Sequence, residues 1–244
     1  IDLVAGRQRI LKYLDIPIQH INDAVLSAMG RKIDRAGIVR LLERLSERID
    51  GLFLRTSLIV GFPGEGDREF GELMEFVAEG RFDHIGVFRY SRENETPASG
   101  FSGRVSKTTS QHRDNMIMSA QEGRSLSRNL RLIGTTADVL VEEACGQGEP
   151  SVRGRFYGQA PEVDGIVVVS GAAARPGQLG GVRCTEAYHD DLAATALEVV
   201  ENARKIQASR AYLGGLVELQ DASSQAVVEE LPLAELAPAD AAES

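Results

Sequence analysis

Residues 52–70, LFLRTSLIVGFPGEGDREF, limit the possible folds more than any other stretch of the chain. Phe53 to Val60 alternate in the manner of a strand, and Gly61, Pro63, Gly64 and Gly66 then break the pattern. Phe70, Leu73, Met74 and Val77 recur at helical spacing, with Asp67 placed to cap the helix. The reading is a buried strand, a glycine-rich turn and an amphipathic helix. In α/β folds the carboxyl end of such a strand is where ligands sit, because backbone N–H groups converge there and glycines permit close approach. On the strand, Phe53, Arg55, Ser57 and Ile59 share one face, while Leu52, Leu54, Thr56, Leu58 and Val60 share the other. An Arg and a Ser on one face predict a polar lumen above an apolar helix layer. A glycine-rich turn alone is more often a plain strand-to-helix connection than a ligand cradle. The lack of a Lys directly after Gly66 argues against a Walker-type phosphate loop.

On either side the chain repeats this βα texture. Tyr13–His20, YLDIPIQH, alternates, with Pro17 expected at the strand's end because it donates no ladder hydrogen bond. Asn22 or Asp23 caps a short helix to Met29, and a longer helix runs from about Asp34 to Ile49. After the central unit comes a third strand over Asp83–Ser91, then a long helix from Ser106 to about Leu132. Three strands separated by helical segments spell βαβαβ, hence a parallel sheet or a piece of a barrel. Beyond Gly134 short β-rich runs appear at Thr136–Glu142, Val152–Tyr157, Gly165–Val169 and Gly181–Ala187, the pattern of a small antiparallel barrel. Asp191 to about Leu213 reads as an Ala- and Glu-rich helix, and the tail from about Asp221 as disordered. The expected division is 1–125, 126–191 and 192–244.

Charge is uneven. Residues 1–125 carry 18 acids and 18 bases, residues 126–191 carry 9 against 6, and residues 192–244 carry 9 against 3. The whole net charge of −9 therefore lies in the C-terminal half, which argues against a chain-wide grip on nucleic acid, though not a local one. No apolar run reaches the roughly 18–20 residues of a membrane span, and no signal-peptide pattern opens the chain. It starts at Ile1, inside what reads as an element, and is expected to be a fragment. Cys145 and Cys184 lie in different predicted strands with no CxxC or CxxxCxxC spacing. By themselves they hold neither zinc nor an iron–sulfur cluster, and each is expected as a buried free thiol in a reducing cytosol.

Four motifs, YLDIPIQH, RTSLIVGFPGE, FDHIGVFRYS followed by ETPA, and APEVDGIV, resemble in order the second half of the radical-SAM methylthiotransferases, over roughly residues 8–191. The resemblance implies the C-terminal half of a partial (β/α) barrel with three βα units, followed by a TRAM (OB-like) β-barrel. The family's N-terminal domain, with one iron–sulfur cluster, and the CxxxCxxC loop of the catalytic cluster have no counterpart in these residues. Gln19, His20, Ile21, Asn22 and Asp23 resemble the RimO type rather than the MiaB type, as do GVFRYS and APEVDG. That branch methylthiolates the β-carbon of an aspartate in small-subunit ribosomal protein twelve. In the whole enzyme a cluster reduces S-adenosylmethionine to a 5′-deoxyadenosyl radical, which abstracts the hydrogen, and sulfur from the second 4Fe-4S cluster follows.

Carried over by position, the resemblance assigns Ser57, Ile59 and Gly61 to the strand motif beside the adenine, with Ser57 where many radical-SAM proteins have Gly. Glu65 falls one place beyond that motif's usual Glu. Phe88 and Tyr90 match the last-strand segment lining the adenine pocket, with core packing an equal explanation. Gln19 and Arg55 are lumen-facing candidates for the sugar or the methionine carboxylate. A lone His20 at a strand end is more often structural than substrate-facing. In the TRAM segment Arg153, Arg155 and Tyr157 form a candidate partner-contacting face, which a solvated β-face explains almost as well. An acidic TRAM segment favours a basic ribosomal protein over tRNA. The expected activity is that of a cytoplasmic radical-SAM methylthiotransferase, with this chain inactive alone for want of cluster ligands. The alternatives are a tRNA methylthiotransferase fragment and a non-catalytic ribosomal or RNA-binding module.

Overall fold

Parallel pairing of three strands, β1 (Tyr13–Asp15), β2 (Phe53–Val60) and β3 (His84–Arg89), in the order β1-β2-β3, builds the first half of the molecule. The structure is a computed structural model that describes residues 1–93, 96–145, 151–170, 174–188 and 191–198. Helices α1 (Asp2–Gly6), α2 (Asp23–Ala28), α3 (Arg35–Arg48), α4 (Asp67–Ala78) and α5 (Lys107–Leu130) complete this half, with a 3-10 turn at Pro97–Gly100. Burial alternates strictly along β2, as its sequence requires. Leu54, Leu58 and Val60 pack with Ile38, Leu42, Leu45, Phe70, Leu73 and Ile117 of the helices in one core, leaving Phe53, Arg55, Ser57 and Ile59 on the opposite, lumen face.

Local chemistry sets the element boundaries. β1 ends at Asp15 because Pro17 brings no N–H to the ladder. Buried Thr56 takes over: its Oγ1 donates to Ile16 O (2.8 Å) and accepts from Ile18 N (3.2 Å). Gln19 then re-establishes pairing, donating to Ser57 O and accepting from Ile59 N. Asn22 Oδ1 accepts from Ala24 N and Val25 N, Asp34 from Gly37 N, and Ser106 from Thr109 N, so three helices start at side-chain caps. α4 departs from the expected pattern. Its N-cap is Gly66, whose N–H donates to Glu69, and Asp67 lies one residue inside the helix.

The second half is a closed barrel of β4 (Thr136–Cys145), β5 (Ser151–Arg155), β6 (Val167–Ser170), β7 (Leu179–Ala187) and β8 (Leu192–Glu198), ordered β4-β5-β6-β8-β7. Val139, Val141, Val152, Val167, Val169 and Val182 fill it. β8 corrects the helix expected from Asp191: its Ala-rich sequence is extended because it pairs parallel to β6 and antiparallel to β7, closing the sheet. The barrel therefore runs past residue 191, and α5 crosses the expected boundary at 125 without a break. The remainder of that helix and the tail lie outside the described residues. No described helix is long and apolar enough to cross a membrane.

Candidate cofactor site

At the carboxyl end of β2 the chain reverses through Gly61, whose φ of +79° suits glycine. A Cβ built there would lie 2.0 Å from Ser110 Oγ of α5, so the glycine is required by contact as well as by conformation. Gln19, four residues beyond the end of β1 and bridged to Leu58 of β2, holds a φ of 67°, a left-handed conformation rare for a residue with a side chain. Strain of this kind is concentrated at ligand sites. Register sets Ser57 beside Gly86 and Ile59 beside Phe88 across the lumen face. The Phe88 ring, 57% exposed, is open to that side.

Beneath the turn lies a buried ionic brace. Glu65, 2% exposed, accepts from Gly61 N at 2.9 Å and from Arg113 Nη1 at 2.9 Å. Arg113 also donates to Glu65 O and to Asp67, tying α5 to the start of α4. His20 Nε2 stands 3.8 Å from Glu65 Oε2, while its Nδ1 accepts from Asn22 N. Burial pushes the Glu65 carboxyl up to about 6 against the lowering pull of Arg113 and the Gly61 N–H, and burial lowers His20 to about 4. His20 is fully buried and Glu65 nearly so, and each bonds to protein groups that shape the turn.

Gly61, Phe88 and Tyr90 come together around a cavity of about 530 Å³ at the end of β3. Lys107, Ser110 and Asp114 of α5 complete its wall. These three were missed from the sequence, although their spacing puts them on one helix face and would have disclosed a shared polar stripe. Ser57 and Ile59 lie along the lumen face, and Gln19 lies at its rim. Arg55 sits toward the other end of β2, its guanidinium 2.8 Å from Asp15 and 3.4 Å from Asp164. Arg155 pairs with Glu142 at 2.5 Å, and Arg153 stands 3.8 Å from Glu143. Tyr157 packs edge-on against Phe53 and donates to Gly51 O at 3.0 Å, which puts it where the barrel meets the parallel sheet.

A glycine bend, an exposed aromatic ring beside an aliphatic row, and a polar-walled cavity fit a nucleoside-bearing ligand such as S-adenosylmethionine. An iron–sulfur cluster does not fit. The chain has two cysteines, Cys184 is a buried free thiol inside the second barrel, and the side chain of Cys145 lies outside the described residues. Among the described residues no group of three or more His, Cys, Asp or Glu side chains could hold a metal ion.

A parallel βα sheet with its glycine turn at the strand's carboxyl end, joined to a small closed β-barrel, defines a radical-SAM region followed by a TRAM domain. Residues 3–77 match the Radical SAM superfamily and residues 133–197 match the TRAM domain family. The chain is 45% identical over 192 residues to a protein of Syntrophotalea carbinolica named ribosomal protein uS12 methylthiotransferase RimO, covering 79% of this chain and 42% of that one. A protein of the same name from Pelobacter propionicus is 44% identical over 79% of this chain and 43% of its own length. Another from Bdellovibrio bacteriovorus is 37% identical over 83% and 44%. The chain thus carries a Radical SAM region and a TRAM domain, resembles these RimO-type methylthiotransferases over about four fifths of its own length, and spans less than half of theirs.

Proposed function

We propose that this chain supplies part of the S-adenosylmethionine lumen, and the TRAM domain, of an enzyme that methylthiolates the β-carbon of an aspartate in ribosomal protein uS12 in the cytoplasm. The observation that carries the reading is continuous similarity through both domains to proteins named for that activity. When bound, S-adenosylmethionine and the family's two clusters supply the radical and the sulfur; this chain's residues bind and orient. Ile59 and Phe88 offer an apolar face to the purine, and Gly61 leaves its backbone open at the turn. Ser57, Gln19 and Tyr90 offer polar groups to the sugar and the methionine end. Glu65 and Arg113 act from beneath, holding the Gly61 N–H and the starts of two helices in place. The TRAM barrel engages the basic ribosomal protein, with Arg153 as its most exposed candidate contact.

Deleting the gene that encodes this chain tests the reading. Mass spectrometry of uS12 from the deletion strain should show loss of one methylthio group from an aspartate-containing peptide, with tRNA unchanged. Retention of the group on uS12, or its loss from a tRNA base instead, overturns the assignment.

A further inference from the structure

Where the two halves meet lies a buried polar cluster that the cofactor site does not use. Asp164 leaves the loop between β5 and β6 and enters the amino-terminal mouth of the parallel sheet, its side chain 2% exposed. One carboxylate oxygen accepts from the Tyr13 hydroxyl at 2.7 Å and from Ala160 N at 2.8 Å. The other lies 3.4 Å from Arg55 Nε and 3.5 Å from His84 Nδ1. Arg55 is held from its far side by Asp15, at 2.8 Å. Each of the three strands thus sends a side chain to one TRAM carboxylate: Tyr13 from β1, Arg55 from β2 and His84 from β3.

The surroundings are built for this arrangement. A Cβ at Gly86 would stand 3.2 Å from Arg55 Nη2, so the missing side chain leaves the guanidinium its place over β3. His84 Nε2 meets Gly158 O of the TRAM half at 2.8 Å, and Arg128 and Asp83 also face the imidazole. Burial, and then the bond to Asp164, raise the Tyr13 phenol above its usual range, so it remains a donor at any pH the protein meets. Edge-on contacts of Phe53 with Phe156 and Tyr157 add apolar surface to the same domain junction. Apolar contact of that kind tolerates sliding. A buried carboxylate does not, because any shift that separates it from Arg55 leaves two charges unpaired out of water.

We propose that Asp164 is an interdomain latch: a TRAM carboxylate that, by fixing Arg55, closes the amino-terminal floor of the lumen and holds the two domains in one orientation. It rests on the radical-SAM reading only in calling that space the cofactor lumen.

The test uses the whole 244-residue chain. Asp164→Asn keeps the shape and the acceptor for Tyr13 but removes the charge; it is made alone and with Arg55→Met, and both are compared by urea unfolding. The latch predicts non-additivity: Asp164→Asn lowers the unfolding midpoint alone, yet has little effect or raises it once Arg55 is gone. It also predicts a lower titration midpoint for the His84 imidazole by NMR, since a negative neighbour is lost, and roughly tenfold faster protease cleavage in the 131–135 connection. Should Arg55→Met fail to fold, the His84 titration and the cleavage rate of Asp164→Asn still decide. Equal midpoint changes in both backgrounds, an unmoved His84 titration, or an unchanged cleavage rate overturns the proposal. None of these readouts depends on activity, so the latch and the assigned reaction can fail separately.

Discussion

Gly61 carries two separate demands, and a pair of substitutions distinguishes them. Its φ is +79° and the space beside it is filled by Ser110, whereas Gly64 has a φ of +91° with open space around it. Gly64→Ala should cost only the strain of a positive-φ backbone, about 1 kcal/mol, while Gly61→Ala adds the clash and should cost about 2–4 kcal/mol by urea unfolding. Equal costs would show that conformation alone selects glycine at 61. The brace below makes a pH prediction of mixed sign. His20 is lowered from 6.5 to about 4, so its contribution is complete above pH 6.5 and is lost as pH falls toward 4. Glu65 is raised from 4.5 to about 6, so its contribution is present below pH 4.5 and is lost as pH rises through 6. Between those limits the two slopes oppose each other. Removing one with Glu65→Gln should leave stability rising more steeply with pH between 4.5 and 6 than in the unaltered chain, measured as urea midpoint against pH. A flatter profile would mean that Glu65 stays ionised in the fold throughout.

Long helix α5 does more than cover the sheet, because Arg113 near its start carries the ionic link to α4. Arg113 is 4% exposed, stacks 5.1 Å from the centroid of Phe70, and serves both Glu65 and Asp67. Arg113→Ala would strand the Glu65 carboxylate in the core, at a cost of about 3–5 kcal/mol. Asp67 is fully exposed, so Asp67→Ala should leave the urea midpoint close to that of the unaltered chain. A comparable loss from both substitutions would contradict the burial argument. At this scale the sequence was most readable where one local rule dominated. The alternation of β2, the caps at Asn22 and Ser106, and the stop imposed by Pro17 all depend on neighbours within a few residues. β8 was misread for the opposite reason. Its Leu-Ala-Ala-Thr-Ala-Leu-Glu run carries helical propensity, and only the open edges of β6 and β7, distant in sequence, make it a strand. The start of α4 was misplaced by one residue, because Glu69 reaching back to the Gly66 N–H does the work assigned to Asp67.

Over the whole molecule, the meeting of the two domains was the least legible feature. Asp164 stands 151 residues from Tyr13 and 109 from Arg55, and no periodicity connects them. The resemblance supplied the order of the domains but not the side chains that join them. Tyr157 shows the consequence: it reads as a face residue of the barrel, yet its ring and hydroxyl are engaged with Phe53 and Gly51. The surface left for a partner therefore has to be judged from the remaining charges. On β4 and β5 these are mixed in sign, with Glu142 against Arg155 and Glu143 near Arg153, and residues 126–191 carry nine acids against six bases. A phosphate backbone laid on such a surface meets carboxylates wherever it meets guanidinium groups, while a basic protein gains in encounter rate and orientation. In anisotropy titrations of the whole chain at matched ionic strength, uS12 should bind more tightly than tRNA. Its affinity should fall by several-fold between about 50 and 200 mM salt, since the screening length shortens from roughly 14 Å to roughly 7 Å over that range. Arg153→Glu should then leave uS12 binding equal or tighter if net charge governs the encounter, and weaken it if that guanidinium makes a specific contact. Tighter, salt-sensitive binding to tRNA would instead mean that the arginines gather on one face despite the acidic total, and would move the chain to the tRNA-modifying branch.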